Sequence, residues 1–171
     1  GGMEDEALAV AEITNYILDE FAASSDRAYI FGPGSTCLSI KQAYGIDGTL
    51  LGCDALLPDG SILQDLTATQ LLALGKEQNL HLVMSFTRNQ GFLFGRGNQQ
   101  IAAELICQLS LPEDLTIVGS RTKLASLDGR PLLVDTGDMD VDQQLSRVYP
   151  ILTGYGEFLL YRLARNFIHV D

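Results

Sequence analysis

Histidine is nearly absent from this chain, and its scarcity excludes a large class of chemistry. His81 and His169 are the only two among 171 residues, so acid–base catalysis driven by histidine is not expected. The three cysteines, Cys37, Cys53 and Cys107, form no C-x-x-C pair, and the pattern offers no zinc site. Reduced, mostly buried thiols are expected instead. Basic residues are also few: 11 Lys and Arg stand against 22 Asp and Glu, a formal net charge of −11. A nucleic-acid surface needs a basic footprint that this composition withholds. No apolar run approaches membrane-spanning length, and no basic segment precedes a hydrophobic stretch at the N-terminus. The expectation is a cytoplasmic protein with neither nucleic-acid nor membrane partners. A phosphorylated small molecule stays open, because a few local donors can outweigh the global field. Neither a Ser/His/Asp triad nor a Cys/His pair is readable.

What is present suits a packed domain. Hydrophobic residues make up 46% of the chain and charged residues 19%, values that argue against a disordered tail. From Glu4 to about Ala23, Val10, Ile13, Ile17 and Phe21 recur at the spacing of one helix face. Ser24-Ser25-Asp26 ends that helix. Strands are predicted at 28–31, 49–57, 80–86, 115–119, 131–134 and 157–163, with 61–66 as an antiparallel return after Pro58-Asp59-Gly60. Helices are predicted at 37–44, 67–78, 99–109, 121–127 and 140–148. Gly45 closes the first of these, and Thr67 or Asp65 caps the second. Strands alternating with helices imply a single α/β domain over residues 1–171. Its sheet is mainly parallel, flanked by helices, with some antiparallel strands. Gly1-Gly2-Met3 ahead of an acidic helix reads as a domain excised from something longer, or as a tag scar.

Ligands of such sheets bind beyond the C-terminal ends of strands, and three polar, glycine-bearing loops stand there. The first is Gly32-Pro33-Gly34-Ser35-Thr36, whose Ser35, Thr36 and helix N-terminus offer donors to an anion. It is neither a P-loop nor G-x-G-x-x-G, and an ordinary capped turn explains it equally well. The second runs from Gln90 to Gln100. Arg96 can fork onto a phosphate, and Gly91, Gly95 and Gly97 permit close backbone approach. Asn98 can cap the helix, and Gln99 can read a polar group. Phe92 and Phe94 belong to a short edge strand and either stack on a base or fill the core. The third is Asp135-Thr136-Gly137-Asp138, whose paired carboxylates suit Mg²⁺ or ribose hydroxyls, or else form a turn and a helix cap. Asp54 is a further carboxylate candidate. His81 reads as structural, while Arg121 and Lys123, opening a helix just after the 115–119 strand, either contact phosphate or, by default, form a solvated face.

Six segments together resemble one family. They are Gly32 to Thr36, Gly48 to Asp54, Gln90 to Gln100, Thr122-Lys123-Leu124-Ala125, Pro131 to Asp138 and Ile151 to Tyr155. In this order they are similar to the C-terminal region of the ATP-NAD kinase-like family, including a branch associated with acetoin catabolism. The resemblance spans about Ala28 to Tyr155, and Phe94-Gly95-Arg96-Gly97-Asn98-Gln99-Gln100 is its most specific part. It implies phosphoryl transfer from ATP or another donor to the 2′-hydroxyl of NAD's adenosine ribose, with Mg²⁺. It also implies an N-terminal kinase domain of the same protein carrying a Gly-Gly-Asp-Gly loop, a motif these residues do not contain. The chain is then a ligand-binding half, inactive alone, and a homo-oligomer is expected. Two alternatives remain: a self-contained sugar-phosphate enzyme similar to ribose-5-phosphate isomerases, drawing on Asp54, Asp135 and Asp138, and a ligand-sensing or assembly module.

Overall fold

The computed structural model describes residues 2–22 and 26–166. The expected helix end at Ser24-Ser25 and the second histidine, His169, lie outside the described residues. Fifteen elements follow in chain order: α1 (Gly2–Phe21), β1 (Arg27–Phe31), α2 (Ser35–Ala43), β2 (Asp54–Leu56), β3 (Ile62–Leu63), α3 (Ala68–Glu77), β4 (Asn79–Met84), β5 (Phe92–Phe94), α4 (Ala103–Cys107), β6 (Leu115–Val118), α5 (Arg121–Ala125), β7 (Leu132–Val134), α6 (Met139–Leu145), β8 (Val148–Gly154) and β9 (Glu157–Arg165).

The strands join in one sheet of order β3-β2-β1-β4-β6-β8-β9-β7-β5. Pairs β1–β4, β4–β6, β6–β8, β7–β9 and β5–β7 are parallel, while β1–β2, β2–β3 and β8–β9 are antiparallel. The domain is therefore α/β with a mixed, mostly parallel sheet. Its inner parallel strands β1, β4 and β6 bury apolar side chains on both faces, as parallel strands under helices must. Leu82 and Met84 point into a large cluster with Leu71 of α3, Leu105 of α4 and Leu145 of α6. Val83 points the other way, into a smaller cluster with Ile13 and Ile17 of α1 and Ile40 of α2. The i, i+4 spacing of Ile13 and Ile17 puts both on one helix stripe, and both are buried.

Local signals hold where side chains satisfy the backbone. Thr67 caps α3 in a reciprocal box with Gln70, and Gly45 follows α2 in a left-handed conformation. Three expected elements differ. Residues 49–52 form a loop rather than the start of a strand, because Lys41 Nζ bonds the Thr49 and Gly52 carbonyls and Asp54 accepts from the Thr49 amide. Those backbone groups have no need of a neighbouring strand. Helix α4 starts at Ala103 rather than Gln99, and a loop tied by Asn98 replaces the first turn. Strand β8 is absent from the expected elements, and the helix expected over 140–148 ends at Leu145 so that Val148 already belongs to β8. In the fold, pairing with β6 begins only at Ile151, so at Pro150 one side of β8 is an edge and the missing N–H costs nothing.

Candidate functional site

Strands β1 and β4 are adjacent and parallel, but the chain leaves their C-terminal ends in opposite directions. From β1 it turns through α2 to β2, and from β4 it crosses toward β5 at the far edge. Such a divergence opens a crevice above the strand ends. A cavity of about 340 Å³ lies there, lined by Gly34 and Ser35 after β1, Ser85, Phe86 and Thr87 after β4, and Arg96 and Asn98 after β5. Glu6, Arg88, Phe92 and Lys123 also line it.

Of the first loop, Gly34 and Ser35 border the cavity, while Gly32 and Thr36 do not. Gly34 is the N-cap of α2 and contributes no side-chain cap, and the helix N-terminus it forms with Ser35 lines the cavity. Gly32 and Thr36 are buried behind this edge. A Cβ at Gly32 would meet the Met84 sulfur at 2.6 Å, and the Gly32 amide donates to Val83 O at 2.9 Å.

The glycine-rich stretch supplies the opposite wall. The Arg96 guanidinium lies 4.7 Å above the centre of the Phe92 ring and is exposed. Phe92 is buried, as the core reading expects, and it also lines the cavity. Asn98 does not cap a helix. Its Oδ1 accepts from the Gly95 amide at 2.8 Å and its Nδ2 donates to Leu93 O at 2.6 Å, which shapes the loop that carries Arg96. Gly95 meets protein rather than open space, since a Cβ there would lie 2.1 Å from Asp135 O. Gly91 packs against Leu127 behind the wall, whereas Gly97 lines the cavity.

Asp135 and Thr136 lie elsewhere. With Gln99, Glu104 and Asp138 they line a second depression of about 580 Å³, separated from the first by Arg96, which borders both. Asp138 caps α6 through the Asp140 and Val141 amides. Thr136 donates its hydroxyl to buried Asp142 at 2.6 Å, and Asn166 donates to Asp135 at 3.2 Å. The carboxylates do not converge, and no group of three or more potential ligands among the described residues could hold a metal ion. The described residues therefore form no all-protein cage for Mg²⁺. Asp54 is removed from the candidates too. It is fully buried against Lys41 Nζ at 2.8 Å. Burial pushes its pKa up, but the Lys41 ammonium and the Thr49 and Asp65 amides hold it below the usual range.

Lys123 corrects the expectation of a solvated helix face. Arg121 is exposed as expected, but Lys123 is only 8% exposed and faces the cavity. Ser120 caps α5 by accepting the Lys123 amide. The ammonium donates to Ser85 Oγ at 2.9 Å and lies 4.9 Å above the Phe86 ring. That ring is seated on Gly119, where a Cβ would come within 2.4 Å of it. Burial lowers the Lys123 pKa below the ordinary lysine range; the Cys37 thiol opposes this, Arg88 adds to it and Glu6 opposes it. No sequence periodicity marks this position. Two hints exist: the strand end at Val118 precedes α5 by three residues, and Lys123 lies in the Thr122-to-Ala125 segment of the family resemblance.

The cavity is thus cationic in a chain of net charge −11. Lys123, Arg88 and Arg96 line it against one carboxylate, Glu6, which is paired to Arg88. A sequence model of the ATP-NAD kinase C-terminal domain matches residues 24–163. The chain belongs to that family. No curated protein and no solved structure matches it significantly. For the ATP-NAD kinase C-terminal domain the match covers the whole sheet except the last residues of β9. It includes every loop that lines the crevice, while Glu6 on α1 precedes it.

Proposed function

We propose that this crevice binds the phosphate part of a nucleotide or related phosphorylated metabolite. The chain is the ligand-binding C-terminal part of an ATP-NAD kinase-like phosphotransferase that makes NADP from NAD. The observation that carries the reading is the meeting of the α2 N-terminus, Lys123 and Arg96 around one cavity at the β1–β4 divergence. Helix amides and fork-shaped guanidinium donors suit phosphate oxygens, and a partly enclosed site strengthens them. Phosphoryl transfer needs positioning and charge neutralisation on both sides of the transferred group. The residues here supply one wall, and the Gly-Gly-Asp-Gly loop of an N-terminal domain would supply the other. The reading as a self-contained sugar-phosphate enzyme has less to draw on, because Asp54 is committed to Lys41 and Asp138 to a helix cap.

Calorimetric titration of the chain with NAD, NADP, ATP and ribose 5-phosphate tests the reading. At least one nucleotide is expected to bind, and Arg96→Ala to weaken it by roughly tenfold, the loss of a charge-assisted pair. Because Arg96 is exposed, its removal should leave thermal stability nearly unchanged. Binding that is indifferent to Arg96→Ala would return this residue to an ordinary surface turn.

A further inference from the structure

Two lysines are buried in this fold, and their surroundings differ. Lys41 Nζ has the Asp54 carboxylate at 2.8 Å and the Thr49 and Gly52 carbonyls at 2.8 and 3.0 Å. All three of its donor positions are answered. Lys123 Nζ has the Ser85 hydroxyl and the Phe86 ring face, and among the described residues it makes no ion pair. A buried ammonium without a counter-ion is strongly disfavoured unless something else answers its charge. Among the described residues Glu6 is the one carboxylate on the cavity wall, and it is taken by Arg88. The unanswered side of Lys123 faces the cavity that α2 and Arg96 also border.

We infer that Lys123 is the specificity-determining contact for the ligand's phosphate, with Ser85 as the residue that positions its ammonium. This rests on the reading of the crevice as a phosphate site. A phosphoryl oxygen beside Nζ would complete the coordination that Lys41 obtains from Asp54. The Ser85 hydroxyl accepts one ammonium hydrogen and fixes the direction of the other two. Phe86, held against Gly119, prevents the side chain from swinging out of the cavity floor. A dephosphorylated ligand leaves the ammonium as unpaired as before, so discrimination follows from charge rather than shape.

The test uses the full chain, with ADP, pyrophosphate and adenosine as probes in calorimetric titrations at low salt. Wild type should bind ADP and pyrophosphate, and adenosine much more weakly. Lys123→Met should lose at least tenfold in affinity for ADP and pyrophosphate while adenosine is unaffected. Without ligand, Lys123→Met should melt at or above the wild-type temperature, because the unpaired buried charge is gone. A merely structural lysine would give the opposite shift. Lys123→Gln serves as a second variant should the methionine protein fail to fold. Ser85→Ala should weaken ADP severalfold, less than loss of the ammonium. Unchanged ADP affinity in either lysine variant would overturn the role of Lys123 and leave the cavity's reading standing. A ligand-free melting temperature lowered in both lysine variants would overturn it as well. Wild-type protein that binds neither ADP nor pyrophosphate would overturn both.

Discussion

His81 sits on β4 between Arg27 and Thr116, and both ring nitrogens are committed. Arginine can only donate, so Nδ1 accepts from Arg27 at 3.0 Å and Nε2 carries the hydrogen shared with Thr116 Oγ1 at 2.7 Å. Phe21 and Tyr29 close over the ring. Burial, helped by the Arg27 cation and opposed by Asp114, lowers the His81 pKa to about 4. The unfolded chain takes up this proton below about 6.5 and the folded chain resists it until about 4. Stability should therefore fall as pH drops through that window, by about 3 kcal/mol from this residue. Urea denaturation at pH 7 and at pH 4 measures the change, and His81→Gln should flatten most of it. A wild-type midpoint constant across the window would remove His81 as the cause. Asp54 acts lower down, because its depressed pKa keeps its contribution until the pH falls below the ordinary carboxylate range. Neither residue belongs to the site, yet both preserve the sheet and loop from which the site is built.

The glycines of the Phe94-to-Gln100 segment separate by what surrounds them. Gly95 has φ of 110° and its absent Cβ would collide with the Asp135 carbonyl, where β5 and β7 run side by side. Gly97 has φ of 83° but faces open space. Gly95→Ala should cost about 3 kcal/mol, combining left-handed strain with a backbone clash. Gly97→Ala should cost about 1 kcal/mol from strain alone. Denaturant midpoints of the two variants provide the comparison, and equal losses would contradict it. Element by element, edge strand β5, the capped helix α3 and the doubly buried β4 were legible because their signals are local. Strand β8 was not, since Pro150 is tolerated there only through the reach of the neighbouring strands. The start of α4 was equally hidden, because Asn98 spends its side chain on Leu93 and Gly95 instead of on the helix.

At the scale of the whole molecule, the sheet order places the Gly34 and Arg96 loops across one cavity although they are 62 residues apart in sequence. It places Asp135 and Thr136 in a different depression. The crevice has cations and helix amides but no converging carboxylates, a composition suited to holding phosphate rather than to moving it. The isolated chain is therefore expected to bind ADP and yet form no NADP from NAD and ATP. A coupled NADP assay, run with and without an N-terminal domain bearing the Gly-Gly-Asp-Gly loop, checks this. Turnover by these 171 residues alone would defeat the split-site proposal.

The sequence by itself determined the α/β class, the family and the two glycine-bearing loops that border the crevice. Each of these rests on short-range pattern: hydrophobic period, turn residues and an ordered run of motifs. Only the tertiary structure decided which polar residues are structural and which face the cavity. Asp54 and Lys123 look equally available in the sequence, but one is paired deep beneath a loop and the other is a buried ammonium at the strand ends, bonded to Ser85 but without an ion pair among the described residues. That difference comes from which distant groups the fold brings within hydrogen-bond reach, a property no local pattern encodes.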